Sequence, residues 1–310
     1  MLLAGGPVVV AGLGLAVAAG VLGDGIPPAL VVARRVQPAG AVAAVVALLL
    51  PEGAVAGALA TLWLGVCVCA AVGGLSLVGR VASGDALDVE LVRWPLALVT
   101  LAVSTMFLTV GGTWLVISRS GLRPFDLSTD IVRLTAVHFH YAGFGMALLA
   151  ATGLACADWM ASRVSLSIGS VAAVVGPPIV AVGFVTGSGP AQVGGALVVT
   201  VAAWAVAFGT FLLATSSSAS PAAPARWRGA AQWCGRSLLI VSALSPLVPM
   251  VLAVQWALAQ HVAIPALSIS DMANTHGVLN GLGFVTAGLA GWLLAGVSSP
   301  ETDPTLAATA

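Results

Sequence analysis

Residues 54–78 read AVAGALATLWLGVCVCAAVGGLSLV, without one charged side chain or proline. A hydrocarbon core of about 30 Å takes roughly 20 apolar helical residues to cross, so this stretch has the length and chemistry of a transmembrane helix. Working outward, cuts at charges, prolines and glycine clusters divide the chain into nine spans, at 2–22, 36–50, 54–78, 94–117, 131–155, 165–186, 192–214, 237–258 and 273–297. The second is short and flanked by Pro38 and Pro51, and reads as tilted, re-entrant or joined to the preceding stretch 26–33. The first lies where a signal peptide would, yet it has no charged leader and a long apolar run, and reads as a retained span.

Composition agrees. Of 310 residues, 59% are hydrophobic and 7% charged, with a mean hydropathy of +1.08. A soluble domain carries about a quarter charged residues, which excludes a soluble enzyme or a nucleic-acid-binding protein. Eleven cations, all Arg, balance eleven acids, leaving no basic arm for nucleic acid and no acidic tail. The expected fold class is all-α, a polytopic transmembrane helix bundle forming one domain over 1–297. The tail 298–310 and the Ser/Ala/Pro-rich loop 216–228 have the composition of disordered linkers. Arg34, Arg35, Arg80, Arg93, Arg163, Arg226, Arg228 and Arg236 fall in odd-numbered loops, and only Arg119 and Arg123 in an even one. The positive-inside rule then places the N-terminus outside and the C-terminus in the cytoplasm.

Ionisable groups are expensive inside a bilayer, so those within or beside spans are the default functional candidates. Two segments concentrate them, Asp130–Gly145, with Arg133, His138, His140 and Tyr141, and Ser270–Phe284, with Asp271, His276 and Asn280. On a helix His138 shares a face with Tyr141 and Gly145, and His140 with Arg133 and Phe144, so the two imidazoles diverge. His276 aligns with Asn280 and Gly283 in one polar stripe. With loops four and eight on one side, the three histidines all occupy the same halves of their spans, and Asp130, Asp271, His261 and Glu52 share that side.

The candidate catalytic groups are thus His138, His140, His276 and Asp271, with Tyr141, Asn280, Glu52 and Arg133 as candidate substrate-binding groups. A histidine that merely glues helices is the competing reading for each one alone, but three at similar depth suit a proton-handling or ligand-binding cavity better. Cys67, Cys69, Cys156 and Cys234 form no C-x-x-C pair, which removes redox and c-type haem readings. An H-x-H on one helix splays its rings and no H-E-x-x-H occurs, so no metal and no cofactor is expected.

At Phe139-His140-Tyr141-Ala142-Gly143-Phe144 and Thr275-His276-Gly277-Val278-Leu279-Asn280-Gly281-Leu282-Gly283-Phe284 the chain resembles the YndJ-like family of bacterial integral membrane proteins. The resemblance implies a multi-pass protein of the bacterial cell membrane and names no substrate.

Two functions follow. The first is an intramembrane enzyme using histidine acid–base chemistry on a lipophilic small molecule, by isomerisation, cyclisation or epoxide opening. The second is a transporter or proton-coupled permease using the same histidines, for which Gly176-Pro177-Pro178 and Pro246 with Pro249 are candidate helix breaks. A scaffold without a small-molecule site leaves the polar clusters unexplained. The expected partners are the lipophilic substrate and membrane lipid.

Overall fold

The computed structural model of the chain describes residues 1–83, 95–157, 159–216 and 229–296. Among them nine helices are long and apolar enough to cross a membrane. They are α1 Leu2–Gly25, α2 Pro28–Leu49, α3 Ala54–Arg80, α4 Pro95–Arg119, α5 Thr129–Ala155, α6 Met160–Thr186, α7 Gly189–Thr215, α8 Ala230–Ala259 and α9 Ile269–Ala295. No strand occurs among the described residues, and the fold is an all-α bundle of membrane-spanning helices. Asp85, Asp88, Glu90, Arg93, the span ends at Trp94 and Val297, the loop 217–228 with Arg226 and Arg228, and the tail 298–310 lie outside the described residues.

Several helices overrun the charges that suggested their ends. The second begins at Pro28, not at residue 36, and so absorbs Arg34 and Arg35. Pro27 is extended and Pro28 takes the first helical position, where its missing N–H leaves no bond unmade. The sixth runs back past Arg163 to Met160, and the eighth past Arg236 to Ala230. Arginines survive there because they find carbonyls. Arg119 Nε donates to Ala47 O at 3.0 Å and its Nη2 to Leu50 O at 2.6 Å, at the end of α2. Arg163 Nε donates to Ala157 O just beyond α5 at 2.8 Å, and Arg236 donates to Ala214 O and Ser216 O at the end of α7. Each pairs carbonyls that a helix C-terminus leaves open and opposes the negative end of its dipole.

Lipid gives no hydrophobic incentive for helices to associate, so close backbone approach supplies the contact. Gly169, Gly176 and Gly183 of α6, seven apart, face Val206, Val199 and Gln192 of α7, also seven apart. A Cβ at Gly183 would lie 2.6 Å from the Gln192 backbone nitrogen. The most enclosed span is α5, buried over most of its length under α1, α4, α6 and α9. Its Phe144, Leu148 and Leu149 are fully buried, as is Trp63 of α3, while Val42, Val68, Phe208 and Val248 face outward to form an apolar surface suited to lipid.

Three helices depart from α geometry and meet where they do. The π-helical stretches are Gly6–Val10 in α1, Phe139–Gly145 in α5, and Ala273–Gly277 and Leu279–Thr286 in α9. Those of α1, α5 and α9 touch one another. Such turns are rare and collect at functional sites. Helix α8 is interrupted at Ser245–Pro246, between its halves Ala230–Leu244 and Leu247–Ala259, where proline cannot continue the ladder.

Candidate functional site

A rise of about 1.5 Å per residue puts His138 roughly 13 Å, and His276 roughly 10 Å, from the starts of α5 and α9. Their rings lie 6.5 Å apart between centroids and 30° from parallel. His138 Nδ1 is 2.7 Å from Leu134 O, one turn back, and His276 Nδ1 is 2.8 Å from Pro249 O, across in α8. A carbonyl only accepts, so in both rings Nδ1 carries the hydrogen. Both Nε2 atoms then keep a bare lone pair, and among the described residues neither has a hydrogen-bond partner. His138 is exposed at the bundle surface and His276 half-buried.

Asn280 stands one turn beyond His276. Its Nδ2 donates to His276 O at 3.0 Å and lies 3.2 Å from His276 Nδ1. Asn280 Oδ1 is left buried and unpaired. Tyr141, three residues after His138, donates its hydroxyl to Leu2 O at 3.2 Å and lies against Gly5 of α1 and Gly281 of α9. The glycines admit the phenol: a Cβ at Gly281 would stand 3.1 Å from Tyr141 Cε1.

The other expected groups lie apart from this pair. His140 is 1% exposed, and its Nδ1–H donates to Ala136 O at 2.7 Å while Nε2 accepts from Trp63 Nε1 at 3.0 Å. Gly6 and Gly111 close on the ring from α1 and α4. With both nitrogens used, His140 ties α5 to α3. Ser268 caps α9, its Oγ accepting from the Asp271 N–H at 3.1 Å and donating to Asp271 Oδ2 at 2.7 Å, so Asp271 serves the first turn of the helix. His261 pairs through Nε2 with Gln192 Oε1 at 3.0 Å, at the opening of α7.

Glu52 and Arg133 form a separate ionic cluster. Glu52, in the α2–α3 turn, meets Arg123 Nη2 and Arg133 Nη2 at 2.8 Å each and Arg119 Nη1 at 3.8 Å. The Arg123 hydrogen bond, then that of Arg133, holds its carboxyl below the usual range. Arg133 and His140 are seven residues apart on one face of α5, turned away from His138 as the helical spacing requires. The cluster therefore ties the α2–α3 turn to α4 and α5.

No three His, Cys, Asp or Glu side chains converge among the described residues. What the helices bring together is His138, His276 and Asn280, with Tyr141 alongside. Sequence spacing pointed to all four, but not to the Pro249 carbonyl or to Leu2 and Gly5. The prolines of span eight and Gly5-Gly6-Pro7 were the available signals.

No curated protein and no solved structure matches the chain. A family model does match, over residues 1–284, which include both histidine segments, and the chain belongs to the YndJ-like protein family.

Proposed function

We propose that this protein is an enzyme of the bacterial cell membrane that carries out acid–base chemistry on a lipophilic small molecule, by isomerisation, cyclisation or epoxide opening. The observation that supports it is the His138–His276 pair, two imidazoles from different spans whose Nδ1–H groups are both engaged by backbone carbonyls. With one proton on the pair, one Nε2–H is the acid and the other Nε2 the base. The base takes a proton from the substrate as the acid returns one, so the pair ends with the charge it began with and its roles exchanged. Tyr141 and Asn280 border the reacting space and position substrate oxygen. The exposed edge at His138 admits substrate sideways from the bilayer.

The test is to incubate purified protein in detergent with a lipid-soluble extract of its host and compare products by mass spectrometry with His138→Ala and His276→Ala. A product isomeric with its precursor, or differing by water, formed by wild type alone supports the reading. The same product from both variants overturns it.

A second reading, a proton-coupled permease, draws on the break in α8 at Ser245–Pro246 and on the bond from its second half to His276. Interrupted helices beside a titratable group are the usual construction of carrier sites. Histidine-dependent solute flux in liposomes, without conversion in detergent, would favour it.

A further inference from the structure

We propose that α2 binds one phospholipid with an anionic headgroup, its phosphate on Arg34 and Arg35 and an acyl chain in a groove against α1. The site shares no residue with the histidine pair and requires no acid–base chemistry there.

Two observations meet on one helix. The first is a groove of about 370 Å³ between Val8 of α1 and Pro38, Val42 and Val46 of α2, with Gln37 and Ala41 buried beneath. That volume falls within the roughly 300–1,000 Å³ of ligand clefts, and Val8, Val42 and Val46 are exposed at the rim. Gln37 Nε2 donates to Pro7 O at 2.7 Å, which ties α1 to α2 at the floor. From Gln37 to Val46 the groove extends roughly 14 Å along the helix axis, the direction an acyl chain takes through a leaflet.

The second is the charge at its end. Arg34 and Arg35 are exposed, and among the described residues neither guanidinium has an ion pair or a hydrogen-bond acceptor. By contrast Arg119, Arg163 and Arg236 all donate to carbonyls near helix ends. A cation in a span without such a partner is expensive. Arg34 precedes Pro38 by four residues and Ala41 by seven, and Arg35 precedes Pro38 by three and Val42 by seven, so both stand on the stripe that lines the groove. Arg34 lies about 9 Å along α2 from Pro28, where a long side chain carries its charge toward the headgroups. Guanidinium groups match phosphate oxygens in bidentate hydrogen bonds, and two of them without a paired acid select an anionic headgroup over a zwitterionic one. A second copy fits this face poorly. Copies in one membrane share an orientation, so pairing through α2 would set these arginines against their counterparts at the same depth.

The experiment is native mass spectrometry of the full chain in detergent with equal amounts of phosphatidylglycerol and phosphatidylcholine. The expected result is one phosphatidylglycerol retained per chain with about tenfold preference or more, the scale set by two interfacial arginines. The preference is lost in the double variant Arg34→Gln, Arg35→Gln and kept in Arg133→Gln, whose guanidinium lies on Glu52. Val42→Trp, a change at the exposed rim that fills the groove, lowers retention with both arginines in place. Should a variant misfold, phosphatidylglycerol with a diazirine midway along one acyl chain replaces it, and is expected to label residues 37–46 of wild type. Equal retention of the two lipids, a preference unchanged in the double variant, retention unchanged by Val42→Trp, label confined to other segments, or chains pairing through α2 with no lipid held would each overturn the proposal. Retention is read without turnover, so failure of the enzyme reading leaves this result intact.

Discussion

The indole Nε1–H of Trp63 donates to Nε2 of His140 at 3.0 Å, their rings 5.9 Å apart and 23° from parallel. Two residues earlier on the same helix, His138 leaves its Nε2 bare. Adjacent histidines of one H-x-H thus have different occupations, one holding helices together and one facing a second imidazole.

That contrast is measurable. His140→Ala strands the Trp63 N–H and leaves a void where 1% of the residue is exposed, and should cost about 1–3 kcal/mol. Thermal melting in detergent should show the loss. His138→Ala removes one local bond from an exposed ring and should melt within about 1 kcal/mol of wild type.

Turnover should divide the other way. His138→Ala and His276→Ala should each lower the rate by about 10²–10⁴-fold, the range of a positioned acid or base. Because the two act as one unit, the double variant should lose little more than the worse single one. Tyr141→Phe gives up only the bond to Leu2 O and should lose less than either.

Glu52 sets an acid limit on stability. Its carboxyl lies below the ordinary 4.5, chiefly through the Arg123 hydrogen bond and then that of Arg133. A carboxyl lowered by folding stabilises at pH above its unfolded value and loses that contribution as pH falls through the folded one. The melting temperature should therefore decline as pH drops below about 4.5 in wild type, and this component should be missing in Glu52→Gln. An equal decline in both would exclude the cluster as its source.

The α6–α7 seam gives a packing prediction. Gly183→Ala drives a Cβ to 2.6 Å from the Gln192 backbone nitrogen, where no rotamer relieves it, and should cost about 1–3 kcal/mol. Gly194→Ala meets nothing within 4 Å and should be neutral or slightly stabilising, which paired melting curves would show.

The fold was legible because every apolar run but the second is long enough to cross the hydrocarbon core and the charges are few. Span ends were less so, since Arg34, Arg163 and Arg236 mark interfaces by composition yet lie inside helices, two of them satisfied by carbonyls of neighbouring chain segments. For the candidate site, helical spacing separated His138 from His140 and joined His276 to Asn280. It carried no information on which helices adjoin, so the placing of Trp63 on His140, of Glu52 among three arginines, and of Pro249 on His276 emerged only in three dimensions.

The central claim is that His138 and His276 form a pair whose Nδ1 atoms carry the hydrogens and whose Nε2 atoms are free. The most direct measurement is ¹⁵N NMR of histidine-labelled protein in bilayers near neutral pH, each ring assigned by its single variant. The account predicts Nδ1–H, with bare Nε2, for the neutral form of both rings, alongside Nδ1–H for His140. An Nε2–H resonance from neutral His138 or His276 would contradict it.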